Sequence, residues 1–367
     1  MDKVLIAGGG IGGLALGIAL RRRDIDAVVF ERAREYRDGG SGLVLAPNGM
    51  KAVAALDSGI AAEVRAAGVV PGPRHRSRFV TATGRTLSTV SFADMERAWG
   101  APVVSLRRAT LHDILLRHAR RAGVDVRTGA ALTAYADRHR VAAILADGTR
   151  HDGALLVGAD GYRSAVRRQL LGDGEPTYRG YTAVRGIGPT PAAYPDGFIA
   201  YGSGLILFAS PVDLQQVYWV ASITAPRDTW PAKDPQQAHR DLLALLRDWQ
   251  PELRSVVAGA DPAGYVLTDV CDRDPTATWH RGRVVLLGDA AHPMTYTMGQ
   301  GANTTLEDAV TLAHHLATAP SPQEALARYT AERAPRTAKI VKQARTMGSI
   351  GHARHPASVW LRDRMMT

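Results

Sequence analysis

The stretch from Val4 to Glu31 leaves this chain few folds to choose from. Val4-Leu5-Ile6-Ala7 is uniformly apolar and suits a parallel strand buried on both faces. It runs directly into Gly8-Gly9-Gly10-Ile11-Gly12-Gly13, which fits G-x-G-x-x-G at Gly8, Gly10 and Gly13. Leu14, Ile18 and Ala19 continue at helical spacing, and a second apolar strand, Ala27-Val28-Val29-Phe30, ends on Glu31. Each part has a physical job. Gly8 permits the tight turn, Gly10 lets backbone approach a pyrophosphate, and Gly13 lets the helix pack close to the strand. Free N–H groups at the helix start, around Ile11 and Gly12, attract phosphate charge. Glu31 can accept hydrogen bonds from ribose hydroxyls. The fingerprint indicates a dinucleotide without separating NAD from FAD.

At 367 residues the chain can hold two domains, or one with a large insertion. It contains no run of 18 apolar residues, so no membrane span is expected. The first strand begins at Lys3 and leaves no room for a signal peptide. Cys271 is the only cysteine, which excludes disulfides within the chain and fits a cytoplasmic setting. Nothing nearby marks Cys271 as activated, so it reads as a packing residue. The 45 Lys and Arg residues exceed the 35 Asp and Glu residues by ten, which fits either scattered surface arginine or attraction of phosphate-bearing cofactors. Nucleic acid is not an expected partner, because no aromatic pattern is interleaved with the basic residues.

Further along, Pro71-Gly72-Pro73 interrupts the pattern, and 78–90 reads as a hairpin turning at Thr83-Gly84. A helix is expected over 109–122, then a hairpin pair over 132–136 and 141–145, then a buried strand over 154–157. From 178 to 223 helical spacing disappears, and tyrosines, β-branched residues, glycines and prolines suggest a mostly antiparallel sheet. One helix is expected over 236–249, a strand over 267–271 and a buried strand over 284–287. The end reads as helices over 303–318 and 322–344, with Pro335 kinking the second or starting a new one, and a short helix over 356–366. The expected class is therefore α/β. A discontinuous nucleotide-binding domain (1–70, 101–175 and 272–345) alternates with a β-sheet substrate domain (71–100 and 176–271), and a helical tail follows (346–367).

Three motifs now stand in order: Gly8-x-Gly10-x-x-Gly13; Gly158-Ala159-Asp160-Gly161-Tyr162-Arg163-Ser164; and Gly288-Asp289-Ala290-Ala291-His292-Pro293 with Gly299-Gln300-Gly301-Ala302-Asn303. Together they resemble the single-component, FAD-dependent aromatic hydroxylases, the group of para-hydroxybenzoate and salicylate hydroxylases, over nearly the whole chain. The resemblance implies a Rossmann-type FAD-binding domain and an activity in which NAD(P)H reduces FAD. Oxygen then forms a flavin C4a-hydroperoxide that hydroxylates or epoxidises an electron-rich aromatic or polycyclic molecule, in aromatic catabolism or secondary metabolism. It also implies roles. Gly8, Gly10 and Gly13 would meet the FAD pyrophosphate, with Ile11 and Gly12 in the same loop. Glu31 would meet the ribose, with Arg32 and Gly42 close by. Arg108, which opens Arg108-Ala109-Thr110-Leu111, would contact FAD. Asp160 belongs to a motif associated with FAD and NAD(P)H, and Asp289 would hold the ribitol chain. The backbone of Gly299, Gln300, Gly301, Ala302 and Asn303 would lie beside the flavin pyrimidine edge, where helix N–H groups stabilise negative charge.

No catalytic constellation of side chains stands out, which suits chemistry carried by a cofactor. Arg185, Tyr201, Phe208, Tyr218 and Trp219 are candidates to face substrate, with Pro293, Met294 and Tyr296 from the flavin side. Alternation along a strand turns half of any such set away from the pocket. Tyr296 departs from the family pattern, in which many relatives carry proline. It leaves open a flavin-dependent reductase or oxidase without oxygen insertion, and a non-catalytic FAD-binding partner is a second alternative. His292 reads as a local hydrogen-bonding residue. The expected partners are a small aromatic or polycyclic substrate and O2, in a monomer or homodimer.

Overall fold

Uninterrupted apolar strands demand cover on both faces, and the first sheet obtains it. The structure is a computed structural model that describes residues 3–36 and 41–367. Six strands lie in the order His280–Arg281, Val284–Leu286, Leu155–Gly158, Val4–Ala7, Ala27–Glu31 and Asp125–Thr128. All neighbours are parallel except the short His280–Arg281 edge. Val4, Leu5, Ile6, Leu156 and Val157 are fully buried. They share one core with the helices Ile11–Arg21, Arg108–Arg121 and Gly301–Thr318. From Val4–Ala7 the chain moves to Ala27–Glu31 on one side and later to Leu155–Gly158 on the other. That reversal opens a crevice beyond the carboxyl ends of the strands, where Gly8 meets Ala159.

The second sheet has seven strands in the order Val266–Asp272, Thr177–Pro189, Gln216–Thr224, Leu205–Pro211, Phe198–Tyr201, Arg76–Thr81 and Thr86–Ser91. It is antiparallel except where Phe198–Tyr201 pairs with Arg76–Thr81. Its two faces have different cores. Val184, Leu207, Val217, Trp219 and Ala221 pack under the helices Pro235–Leu245 and Pro251–Ala258. Tyr181, Ala183, Tyr218 and Val220 form a smaller cluster on the opposite face, joined by Phe208 and Tyr296. That face looks toward the crevice. The expected hairpin turn is present, with Gly84 at φ +84°.

Several expectations change. The helix expected over 236–249 ends at Leu245, and Pro251 opens a second helix, Pro251–Ala258. The segment after the hairpin folds as a helix, Phe92–Trp99, which no reading of the sequence assigned. The boundary expected between 345 and 346 falls inside one 30-residue helix, Pro322–Gly351, which passes through Pro335. Buried Ala334, Thr337 and Arg333 seat both sides of the proline, so packing overrides the local break. The end of the chain docks on the second sheet. His352 bonds Ser222 at 2.8 Å and Thr224 at 3.0 Å, and Arg362 donates to the carbonyls of Gly202 (2.8 Å) and Gly351 (3.2 Å).

Candidate active site

A cavity of about 1410 Å³ runs between the two sheets. Ordinary ligand pockets occupy roughly 300–1,000 Å³, so this one has room for more than one small molecule. One wall begins at Gly8, whose φ of +105° and approach to Ala159 leave no space for a side chain. Gly10 is the opposite case: a Cβ there would meet nothing within 4 Å and would project into open space. The helix Ile11–Arg21 starts beside it with no side-chain cap and no acid in its first turn. The helix Gly301–Thr318 opens on the same cavity in the same uncapped, acid-free state. Two helix N-termini with unspent N–H groups thus line one cavity, an arrangement that favours anions.

Side chains complete this wall. Glu31 accepts from the N–H of Gly9 at 2.7 Å and of Ala33 at 2.8 Å, which fixes its carboxylate while leaving lone pairs for another donor. Arg32, Gly42 and Arg108 also face the cavity. Asp160 accepts from Ser164 and from the N–H of Ala165 at 2.8 Å; burial pushes its carboxyl up against those bonds. Asp289 is exposed within the cavity and has no partner among the described residues. Gly299 sits at φ +62° with open space around it, and Gln300 is held by Asn48 at 3.0 Å. Gly301 and Ala302 also line the wall. These groups fit a dinucleotide: backbone donors for a pyrophosphate, the Glu31 and Asp289 carboxylates with lone pairs left for hydroxyls, and a Cβ-free approach at Gly10.

Two expected cofactor contacts lie behind this wall. A Cβ on Gly13 would stand 1.9 Å from the Gly8 carbonyl oxygen, so this glycine lets helix meet loop. Asn303 is fully buried; it accepts from the Ala46 N–H at 2.9 Å and donates to Val44 at 3.1 Å and Gly299 at 2.8 Å. It ties three segments together from behind. His292 is likewise local, 2.5 Å from Asp308, which also takes the Gly288 N–H at 3.1 Å and Arg333 at 2.7 Å. Burial pushes the Asp308 carboxyl up, but His292 and Arg333 outweigh it and hold it low.

On the opposite wall, strand register decides which candidates face inward. Arg185 pairs with Val220, while Gly186 pairs with Trp219. Arg185, Tyr218, Phe208 and Tyr201 therefore line the cavity. Trp219 does not: it is fully buried on the other face, edge-on to Tyr265 at 5.0 Å, and its place in the substrate set is corrected to core. Arg185 lies over the Tyr296 ring at 5.1 Å and donates to Thr268, with no carboxylate partner among the described residues. Burial pushes the Tyr218 hydroxyl up, and Arg185 and Arg108 oppose it. Burial also raises Tyr296, whose hydroxyl lacks a partner; the nearby Ser222 hydroxyl is engaged by His352. Pro293 and Met294 line the same region. Cys271 reaches the cavity wall, and burial raises its thiol, consistent with a packing role. The sequence reading missed Thr268 and Ile206, which strand alternation could have found, and Met347, Ile350 and Met365, for which no local signal existed.

A family model described as an FAD binding domain matches residues 1–344. The chain is 36% identical over 371 residues to aurachin C monooxygenase/isomerase of Stigmatella aurantiaca, covering 99% of this chain and 93% of that protein. It is 34% identical over 378 residues to 3-hydroxybenzoate 6-hydroxylase 1 of Aquipseudomonas alcaligenes, covering 100% and 93%. The solved structure of Klebsiella pneumoniae HpxO complexed with FAD and uric acid matches with a TM-score of 0.90 at 28% identity, covering 99% of this chain and 92% of that one.

Proposed function

The chain belongs to the FAD-dependent aromatic hydroxylases and is a monooxygenase, and from that premise we propose how its residues divide the work. The segments 1–70, 101–175 and 272–345 hold FAD, and the seven-stranded sheet shelters an electron-rich aromatic substrate. Gly8, Gly10, Ile11 and Gly12 take the pyrophosphate with the uncapped helix behind them. Glu31 takes the ribose, with Arg32, Gly42 and Arg108 around it, and Asp289 takes the ribitol hydroxyls. The N-terminus from Gly299 to Ala302 lies beside the flavin ring. When bound, FAD would relay two electrons from NAD(P)H to O2, so that one atom of O2 enters the substrate and the other leaves as water.

The chain's own task is to orient and to exclude water. Arg185 has donors to spare and sits between Tyr218 and Tyr296, so it directs a phenolic or carbonyl oxygen of the ring. Phe208 and Val220 supply an apolar wall. Asp160 and the exposed Tyr162–Arg163 pair, 5.3 Å apart, mark a wall where NAD(P)H would approach. Among the described residues no helix is long and apolar enough to cross a membrane. A monomer or homodimer in the cytoplasm is the setting we assign.

The observation that carries this reading is one cavity with two anion-favouring helix ends on one wall and the Arg185–Tyr218–Phe208 face on the other. FAD-loaded protein should oxidise NAD(P)H faster when phenols are added. Arg185→Met should raise the phenol KM about tenfold or more while the flavin spectrum is retained. An unchanged KM would remove Arg185 from the substrate site.

A further inference from the structure

The cavity does not stop at Arg185 and Tyr218. It continues along the face made by Arg76–Thr81, Phe198–Tyr201 and Leu205–Pro211, where Phe79, Ile199 and Ile206 point inward. Phe79 stacks on Tyr201 at 6.4 Å, and Tyr201 forms the floor. Beyond them the wall is supplied by the end of the chain: Met347, Ile350 and Met365 line the same cavity yet are 45%, 37% and 69% exposed. Hydrophobic side chains half in water and contiguous with a substrate cavity are costly unless something apolar covers them.

The charged group at this end and a neighbouring hydroxyl are engaged within the protein. Arg362 is buried, donates to Asp363, Gly202 and Gly351, and lies over the Tyr201 ring at 5.2 Å. Thr297 donates to the Ala344 carbonyl at 2.6 Å. The opposite end of the cavity differs: His75, Asp196 and Asp213 line it, and His75 stands 3.5 Å from Asp196. A neutral apolar group would be drawn to the first end and not to the second. Methionine is concentrated here as well. Met347, Met365 and Met366 line this end, and unbranched thioether chains adapt to flexible apolar ligands.

We infer that the substrate carries a long, neutral, apolar substituent, which lies along the Ile199–Ile206–Tyr201 face and ends against Met347, Ile350 and Met365. The aromatic head stays at Arg185 and Tyr218, so the inference rests on the proposed site and specifies its substrate class.

The test is a binding series of 4-alkylphenols from methyl to octyl, read by perturbation of the flavin spectrum in FAD-loaded protein. Kd should fall about fourfold per methylene until the branch is filled. Ile350→Glu and Met347→Glu, both at exposed positions that should not disturb folding, should flatten the dependence for the longer chains. Met95→Glu, at the other end, should not. A flat series in the unaltered protein would overturn the inference, as would flattening by Met95→Glu alone. A protein that binds FAD and oxidises NAD(P)H in response to phenols but shows a flat series loses this inference and keeps the proposed function. Absence of a flavin spectrum would instead sink that function.

Discussion

Single glycines in the opening loop separate folding from binding. Gly10 has an extended backbone that any residue adopts, and a Cβ there touches no protein atom. Gly10→Ala should therefore fold normally and lose FAD affinity roughly 10–100-fold, the worth of a hydrogen bond to a charged group. Gly13→Ala should do the reverse and cost about 3 kcal/mol of stability, because its Cβ would overlap the Gly8 carbonyl. Thermal unfolding and flavin titration of the two variants would distinguish these outcomes; equal losses of stability would refute the distinction. Asp289→Ala removes an exposed carboxylate with no partner among the described residues, so it should also spare the fold and weaken FAD by roughly tenfold or more. His352 carries a pH signature. Burial lowers it from 6.5 to about 4, and the Ser222 and Thr224 hydroxyls satisfy its neutral ring. The unfolded chain takes up the proton first, so this stability is complete above pH 6.5 and is lost as pH falls toward 4. The loss amounts to about 3 kcal/mol. In His352→Gln that part of the acid sensitivity should vanish from pH-dependent unfolding curves.

Strands and helices differ in how openly they declare themselves. The Val4–Ala7 and Ala27–Glu31 strands, the intervening helix and the Thr83-Gly84 hairpin were legible because apolar period and glycine chemistry agree there. Phe92–Trp99 was not: it buries no residue fully, so its pattern carried no core signal. Pro335 left two readings open, and the helix that runs through it removes the one in which a new helix starts there. Register was the missing information on the seven-stranded sheet. Tyr218 and Trp219 are chemically alike as candidates, yet one residue of offset sends them to opposite faces. Trp219→Ala should cost about 3–5 kcal/mol in unfolding experiments, whereas Tyr218→Phe should leave stability nearly unchanged and alter phenol binding. A small loss for Trp219→Ala would contradict the assigned faces.

At the scale of the molecule, the site belongs to neither sheet alone. Motifs at Gly8, Asp160 and Asp289 were readable from sequence because each is a contiguous run with a defined backbone task. The wall proposed to face substrate was not, because it is assembled from strands far apart in the chain and from the C-terminal helices. The two alternatives, a reductase or oxidase motivated by Tyr296 and a non-catalytic FAD-binding partner, are not favoured by the relatives, which are monooxygenases. The decisive measurement is oxygen labelling. FAD-loaded protein is given NAD(P)H, an electron-rich 4-alkylphenol and ¹⁸O2, and the product is weighed. The account expects one labelled oxygen atom in the product and none from labelled water. Reduction of all the O2 to hydrogen peroxide, with the phenols bound but unchanged across the series, would contradict it.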